Sequence, residues 1–133
     1  MQVGNVMNPV TAVVGPEHTL RQAAERMIQH NTGAAIVMDP TLPGPHVITE
    51  RDLLRAVAAG SSVDSELVES HMNNAVITAA PTWAISQAAE LMVAHAVRHV
   101  LVFDGDALVG VLSMRDVVRT GVVVPASAAA DPA

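Results

Sequence analysis

The chain carries the stretch Val47-Ile48-Thr49-Glu50-Arg51-Asp52 twice, and the second copy is Val111-Leu112-Ser113-Met114-Arg115-Asp116. In each copy an aliphatic pair is followed by a hydroxyl residue, two variable positions, an aspartate and an apolar helical run. This order predicts the end of a strand, a turn and the start of a helix. The same spacing forms a capping box, in which the hydroxyl accepts from a backbone N–H and the acid reaches back to the cap residue. Taken singly, either copy is explained as well by helix capping as by a binding role.

The duplication extends through almost the whole chain. Residues 7–39 align with residues 72–104 at a constant offset, and after one deletion the stretches around Asp52 and Asp116 align as well. Internal repeats indicate the architecture more directly than local propensity does. We therefore predict a first unit at residues 1–60, a linker at 61–65, a second unit at 66–121 and a flexible tail at 122–133.

Hydrophobic periodicity predicts the order strand, helix, strand, strand, helix in both units. In the first unit, Thr19 and Gln22 form a capping box ahead of the first helix. The apolar stripe of this helix is expected to be buried, and it consists of Leu20, Ala23, Ala24, Met27 and Ile28. A unit of about 60 residues is marginal alone, because small domains bury too little surface. The predicted fold class is mixed α/β (α+β): two pseudo-symmetric units, each a small sheet with two packing helices, packed sheet to sheet.

Composition excludes several classes of function. The chain has 133 residues, no cysteine, seven arginines, no lysine and a formal net charge of −6. The lack of cysteine rules out disulfides and thiolate metal sites, and an acidic, lysine-free composition disfavours nucleic-acid binding. Half of the residues are apolar, yet no window approaches the roughly 18 consecutive apolar residues of a membrane span. No export leader is visible at Met1, so the expected location is cytoplasmic.

Together, these features resemble a tandem pair of cystathionine-β-synthase (CBS) domains, the arrangement called a Bateman module. The resemblance rests on the two hydroxyl-x-x-Asp motifs, on Pro16 and Pro81 ahead of the long helices, and on the apolar strands that follow. It covers about residues 2–121. It implies an adenosine-containing ligand in the cleft between the two copies, with AMP, ADP or ATP ahead of S-adenosylmethionine or NAD.

The resemblance also assigns site residues. Asp52 and Asp116 would accept hydrogen bonds from the ribose hydroxyls, since a carboxylate can take both protons of a diol. Thr49 and Ser113 would hold the ligand near the start of the following helix. The first strand of each unit would line the adenine pockets, at Val13, Ile77 and Thr78.

Phosphate contacts are expected from basic residues. The resemblance points to Arg98 and His99, which would serve the Asp52 site in the opposite unit, so that a phosphorylated ligand would prefer that site. Arg51 and Arg115 lie inside the motifs, and they are either phosphate contacts or solvated residues of the first helical turn.

Two kinds of position depart from the family pattern. His46 stands where the second copy has Gly110, and its imidazole either adds a phosphate contact or obstructs the pocket. Asn8 and Asn73 occupy places that threonine often holds.

No catalytic or metal-binding group is apparent in the sequence. His30 and His95 end equivalent helices without acidic partners at ligand spacing, which favours a role at the helix C-terminus. There is no Ser/His/Asp arrangement, Walker loop or Gly-x-Gly-x-x-Gly motif. The leading hypothesis is a non-catalytic regulatory module that forms a homodimer and signals to an effector protein in another chain. The alternative is a ligand-independent oligomerisation or interaction protein with the same fold.

Overall fold

A computed structural model describes residues 1–122 of the chain, and these residues form two compact units. The Asp52 unit contains residues 11–76; the Asp116 unit contains residues 1–10 together with residues from 77 onward. Each unit is built around one repeat but takes its opening segment from the other. We call these segments the first strap (residues 1–8) and the second strap (residues 66–73). The predicted tail lies outside the described residues apart from Val122.

The Asp52 unit is a three-stranded sheet with two helices. Its elements in chain order are β1 (Val13–Val14), α1 (Leu20–Gln29), β2 (Ala34–Val37), β3 (His46–Thr49) and α2 (Glu50–Ala58). Strand β1 runs parallel to β2 and β3 runs antiparallel to it, so β2 is the central strand. All four residues of β2 are buried, as a continuous aliphatic run predicts.

The Asp116 unit repeats this arrangement. Its elements are β4 (Thr78–Ala79), α3 (Ile85–Ala94), β5 (His99–Asp104), β6 (Ala107–Ser113) and α4 (Met114–Thr120), with β5 as the central strand. The β5–β6 hairpin turns at Gly105, whose φ of +60° favours glycine. In the described part of the chain, the mixed α/β class is confirmed, with two three-stranded sheets and four helices.

Each unit has its own hydrophobic core, and two residues of the predicted stripe on α1, the half-buried Ala24 and the exposed Ile28, lie outside it. Leu20, Ala23 and Met27 are buried in the core of the Asp52 unit. Ile28 is 83 % exposed, so the prediction that it is buried was wrong. Because consecutive helical residues are rotated by about 100°, Ile28 lies beyond the edge of the face that Met27 buries.

The straps dock through backbone hydrogen bonds and one buried valine each. In the first strap, Val3 N–H donates to Trp83 O at 2.9 Å; in the second strap, Val68 N–H donates to His18 O at 2.8 Å. Val3 and Val68 are both fully buried. Each strap is therefore part of the core of the unit on which it docks.

Residues 61–65, which were expected to form a linker, contact α1. Arg21 N–H donates to Val63 O at 2.9 Å, and the Arg21 guanidinium pairs with Asp64. That hydrogen bond raises the pKa of Arg21 and lowers the pKa of Asp64. Nearby, His71 Nε2 lies 2.7 Å from Glu66 Oε1, which lowers the pKa of the Glu66 carboxyl. Exposed pairs of this kind stabilise little, so the segment is held in place mainly by the backbone bond and by the half-buried Val63, which packs against the core.

Candidate functional site

Asp52 is a buried carboxylate at the start of α2, with 9 % of the residue exposed. Thr49 is the N-cap: its Oγ1 accepts from Asp52 N–H at 3.3 Å, and its hydroxyl donates to Asp52 Oδ2 at 2.9 Å. Thr49 N–H donates to the same Oδ2 at 2.8 Å. The predicted capping box is present, and the acid belongs to it.

Asp116 repeats this geometry at the start of α4. The residue is 5 % exposed. Ser113 Oγ accepts from Asp116 N–H at 3.2 Å, while the Ser113 hydroxyl and N–H donate to Asp116 Oδ2 at 2.7 and 2.9 Å. The two halves of the sequence repeat therefore form equivalent, buried acidic caps.

A third donor reaches each aspartate from a strap. Asn73 Nδ2 donates to Asp52 Oδ2 at 2.9 Å, and Asn8 Nδ2 donates to Asp116 Oδ2 at 2.8 Å. Sequence reasoning treated these asparagines only as departures from threonine and missed the contact. The available signal was that both repeats carry asparagine at the same aligned position, just as both carry the aspartate.

The two oxygens of each carboxylate therefore differ in their hydrogen-bond partners. Oδ2 accepts from three donors, which is more than its two lone-pair sites. None of the described residues donates a hydrogen bond to Asp52 Oδ1, while Asp116 Oδ1 lies 3.9 Å from Arg119 Nη1. We expected the hydroxyl to cap while the aspartate faced a ligand. The structure instead uses Oδ2 in the cap and leaves only Oδ1 for that role.

The first residues of α2 and α4 also have fewer backbone N–H groups available to a ligand than we expected. Glu50 N–H donates to Gly33 O at 2.8 Å, and Met114 N–H donates to Arg98 O at 2.8 Å. The N–H groups of both aspartates are taken by the cap hydroxyls. Ligand binding through helix N–H groups is therefore restricted at these positions.

Three basic residues are backbone neighbours of the Ser113–Asp116 capping box in the Asp116 unit. His99 pairs with Ser113 across β5 and β6, and Arg98 precedes it at the start of β5. Arg98 is exposed and His99 is half-buried. Arg115 is exposed in the first turn of α4. Three of the residues that we expected to bind phosphate are thus neighbours of the capping box in their own unit through their backbone positions.

The equivalent place in the Asp52 unit is not basic. Gly33 stands in place of Arg98, and Glu50 stands in place of Met114. The Glu50 carboxylate lies over Gly33, where a Cβ would be 2.9 Å from Glu50 Cδ. Arg51 is exposed and forms no ion pair with any described residue. The two aspartates therefore have surroundings of different charge.

His46 contacts the second strap. Its Nδ1 lies 3.1 Å from Asn73 O, so this nitrogen carries a proton and donates. Its counterpart Gly110 lies where an added Cβ would be 2.8 Å from both Asn8 O and Met7 Sδ. His46 supports the strap, a role that neither of our two expectations included.

The three residues expected to line adenine pockets lie on the first strands of the sheets or next to them. Val13 is half-buried on β1, Thr78 is exposed on β4, and Ile77 packs against the core of the Asp116 unit. The central strand separates β1 from β3, and β4 from β6. Within one unit, these residues are therefore not adjacent to the capped aspartate.

Neither a metal-binding cluster nor a membrane-spanning helix is present in the described part of the chain. Within residues 1–122, no three side chains of His, Asp or Glu are grouped closely enough to hold a metal ion. Over the same range, no helix has the length and apolar character needed to cross a membrane.

Known proteins resemble this chain over most of its length. The family model described as CBS domain matches residues 3–59 and 66–122. The CBS domain-containing protein YhcV of Bacillus subtilis is 32% identical over 116 residues, covering 86% of this chain and 81% of YhcV. The mitochondrial CBS domain-containing protein CBSX3 of Arabidopsis thaliana is 36% identical over 110 residues, covering 77% of this chain. The match spans 52% of CBSX3, or about half its length.

Among solved structures, the chain resembles the CBS domain protein PAE2072 from Pyrobaculum aerophilum, which is complexed with AMP. The TM-score is 0.77 at 32% sequence identity, and the match covers 87% of this chain and 89% of that one.

Proposed function

Because this chain belongs to the CBS domain family and contains two copies of the domain, we propose that it is a non-catalytic regulatory module for an adenosine-containing ligand. The ligand binds through Asp52 and Asp116. AMP, ADP and ATP are the first candidates, ahead of S-adenosylmethionine and NAD. An effector protein that prefers the ligand-bound state reads the signal, because a ligand shifts a population only toward a state that it binds better.

The state of the two aspartates is the observation that supports this proposal. Each is a buried carboxylate whose Oδ2 is engaged by three protein donors, with no protein hydrogen bond to Oδ1 among the described residues. A helix cap needs one acceptor oxygen. A second acceptor oxygen held in a fixed orientation suits a ribose diol, whose hydroxyls bind a carboxylate in charge-assisted hydrogen bonds. The AMP complex of the Pyrobaculum relative supports the same ligand class.

The phosphate of the ligand is best accommodated at the Asp116 unit. The backbone positions of Arg98, His99 and Arg115 adjoin its capping box, whereas the equivalent place near Asp52 carries Glu50. A carboxylate near a phosphate weakens binding because both groups are negative, whereas a guanidinium near the phosphate strengthens it. This assignment is the reverse of the preference for Asp52 that the family resemblance implied.

A panel of ligands tests the function directly. Unfolding would be followed with AMP, ADP, ATP, S-adenosylmethionine and NAD, with GMP as the matched control for the base. A ligand at about 100 times its dissociation constant should stabilise the protein by roughly 2.7 kcal/mol. The proposal expects this shift for at least one adenosine compound and a smaller one for GMP. Cooperative unfolding without a shift from any compound would favour the ligand-independent interaction protein instead.

The exposed aliphatic residues on the helices support a homodimer. Leu54 and Val57 on α2 are 69 % and 59 % exposed, and Val118 on α4 is 70 % exposed. Leu54→Glu should convert a dimer into a 13.8 kDa monomer, because a charge in an apolar interface is not solvated. Sedimentation equilibrium measures the mass, and Thr41→Glu in the exposed loop is the control. A wild-type protein that sediments as a monomer would contradict the dimer.

A further inference from the structure

The strap asparagines connect each aspartate to the opposite repeat. Asn8 opens the first repeat but donates to Asp116 of the second, and Asn73 opens the second repeat but donates to Asp52 of the first. Each bond lies within its own compact unit, the Asn8 bond in the Asp116 unit and the Asn73 bond in the Asp52 unit, because the straps exchange.

The position of each asparagine is set by its backbone. Asn8 N–H donates to Val111 O at 2.9 Å, and Val111 N–H donates back to Asn8 O at 2.9 Å. Asn73 N–H donates to Val47 O at 2.8 Å, while Asn73 O lies 3.1 Å from His46 Nδ1. Val111 and Val47 are on the strands that end at the capping boxes. The asparagine amide is therefore held close to the aspartate before any ligand arrives.

Rotation about χ2 of an aspartate is broad, so the torsion itself does not fix the direction in which a carboxylate oxygen points. The cap supplies two donors to one oxygen. The asparagine adds a third donor to the same oxygen, from the side of the strap. Because three donors hold Oδ2, the carboxylate is kept in one orientation, and the two lone-pair sites of Oδ1 remain available to donors of a ligand.

We propose that Asn8 and Asn73 are positioning residues, which hold Oδ2 of Asp116 and Asp52 so that Oδ1 alone meets both hydroxyls of the ribose. This inference rests on the proposed function. It makes the asparagines determinants of specificity for a cis-diol. An acceptor oxygen that is already fixed in direction binds two correctly placed hydroxyls more tightly than an oxygen that must first be ordered.

The test compares AMP with 2′-deoxy-AMP at one site at a time. Asp52→Asn protein retains only the Asp116 site, and calorimetry there gives the ratio of the two dissociation constants. With Asn8 present, we expect AMP to bind roughly 10-fold or more tightly than 2′-deoxy-AMP, the value of one hydrogen bond to a charged group. Asn8→Leu has a similar shape but no donor, and it should reduce this ratio to about 2 or less.

Asn8→Asp should have the larger effect on affinity. It keeps the shape of the side chain but places a second carboxylate where the Asn8 amide now lies 2.8 Å from Asp116 Oδ2. Like charges so close force one carboxylate to rotate or to bind a proton, and we expect AMP binding to weaken at least 10-fold. Asn74→Leu in the same background is the matched control, because Asn74 is exposed and its side chain makes no hydrogen bond with any described residue, and it should leave both dissociation constants unchanged.

A purely structural role makes a different prediction. If Asn8 only docks the strap, the ratio of the AMP and 2′-deoxy-AMP dissociation constants is the same in both Asn8 variants as in the protein with Asn8, and the proposal is overturned.

If the wild-type protein binds neither nucleotide, the proposed function fails, and the positioning role is then decided by the Asn8 side-chain amide in an ¹⁵N spectrum. Its resonance should move in Asp116→Ala, and an unchanged resonance overturns the role.

Discussion

Asp116→Asn is expected to weaken AMP binding by roughly 10- to 150-fold, and Asp52→Asn to weaken it less. The asparagine oxygen can still accept at the Oδ2 position, so the capping box survives. Its amide group at the Oδ1 position donates where the ribose hydroxyls need an acceptor, and hydrogen bonds to charged groups contribute about 1.5–3 kcal/mol. The difference between the two sites follows from His99, which pairs with Ser113, and from Arg98, whose carbonyl oxygen accepts from Met114 N–H. Calorimetric titration of both variants measures affinity and stoichiometry together.

Asp106→Asn in the exposed β5–β6 turn is the control for this pair, since it removes the same charge from a position with no site role. It should bind AMP with wild-type affinity. A larger loss for Asp52→Asn would restore the preference that the family resemblance implied. Wild-type affinity in both site variants, with intact folding, would refute the ribose role of the aspartates.

Gly110→Ala is expected to lower the free energy of unfolding by about 1–3 kcal/mol, the usual cost of overpacking. A Cβ at this position would lie 2.8 Å from Asn8 O, which is backbone and cannot rotate away, and 2.8 Å from Met7 Sδ. The first strap must shift to relieve the contact. Because Asn8 holds Asp116 from that strap, affinity for AMP should fall along with stability. Urea denaturation and calorimetry measure the two effects.

Gly44→Ala is the matched control, because a Cβ there would meet no atom within 4 Å and the residue does not have positive φ. Its unfolding free energy should stay within about 0.5 kcal/mol of wild type. Equal stability of Gly110→Ala and Gly44→Ala would mean that the strap can move without cost, and the account of strap docking would then be wrong.

Local features were predictable from the residues. The capping boxes at Thr49 and Ser113 depend on groups three residues apart, so their spacing in the chain is also their spacing in the structure. The hairpin at Gly105 is local in the same way. The burial of Ile28 was predicted wrongly, because the width of a buried helical face depends on what packs against it.

Residue order alone predicts two equivalent α/β units of the CBS family, each with a capped aspartate at the start of its last helix. Repetition and short-range hydrogen bonding are properties of residue order, and no knowledge of packing is needed to recognise them. Three features come from packing and not from residue order: the straps exchange, Asn8 and Asn73 reach across the repeats to Asp116 and Asp52, and Oδ1 is the oxygen left over. The asparagine bonds join residues 108 and 21 positions apart, and such contacts depend on where packing brings the backbone.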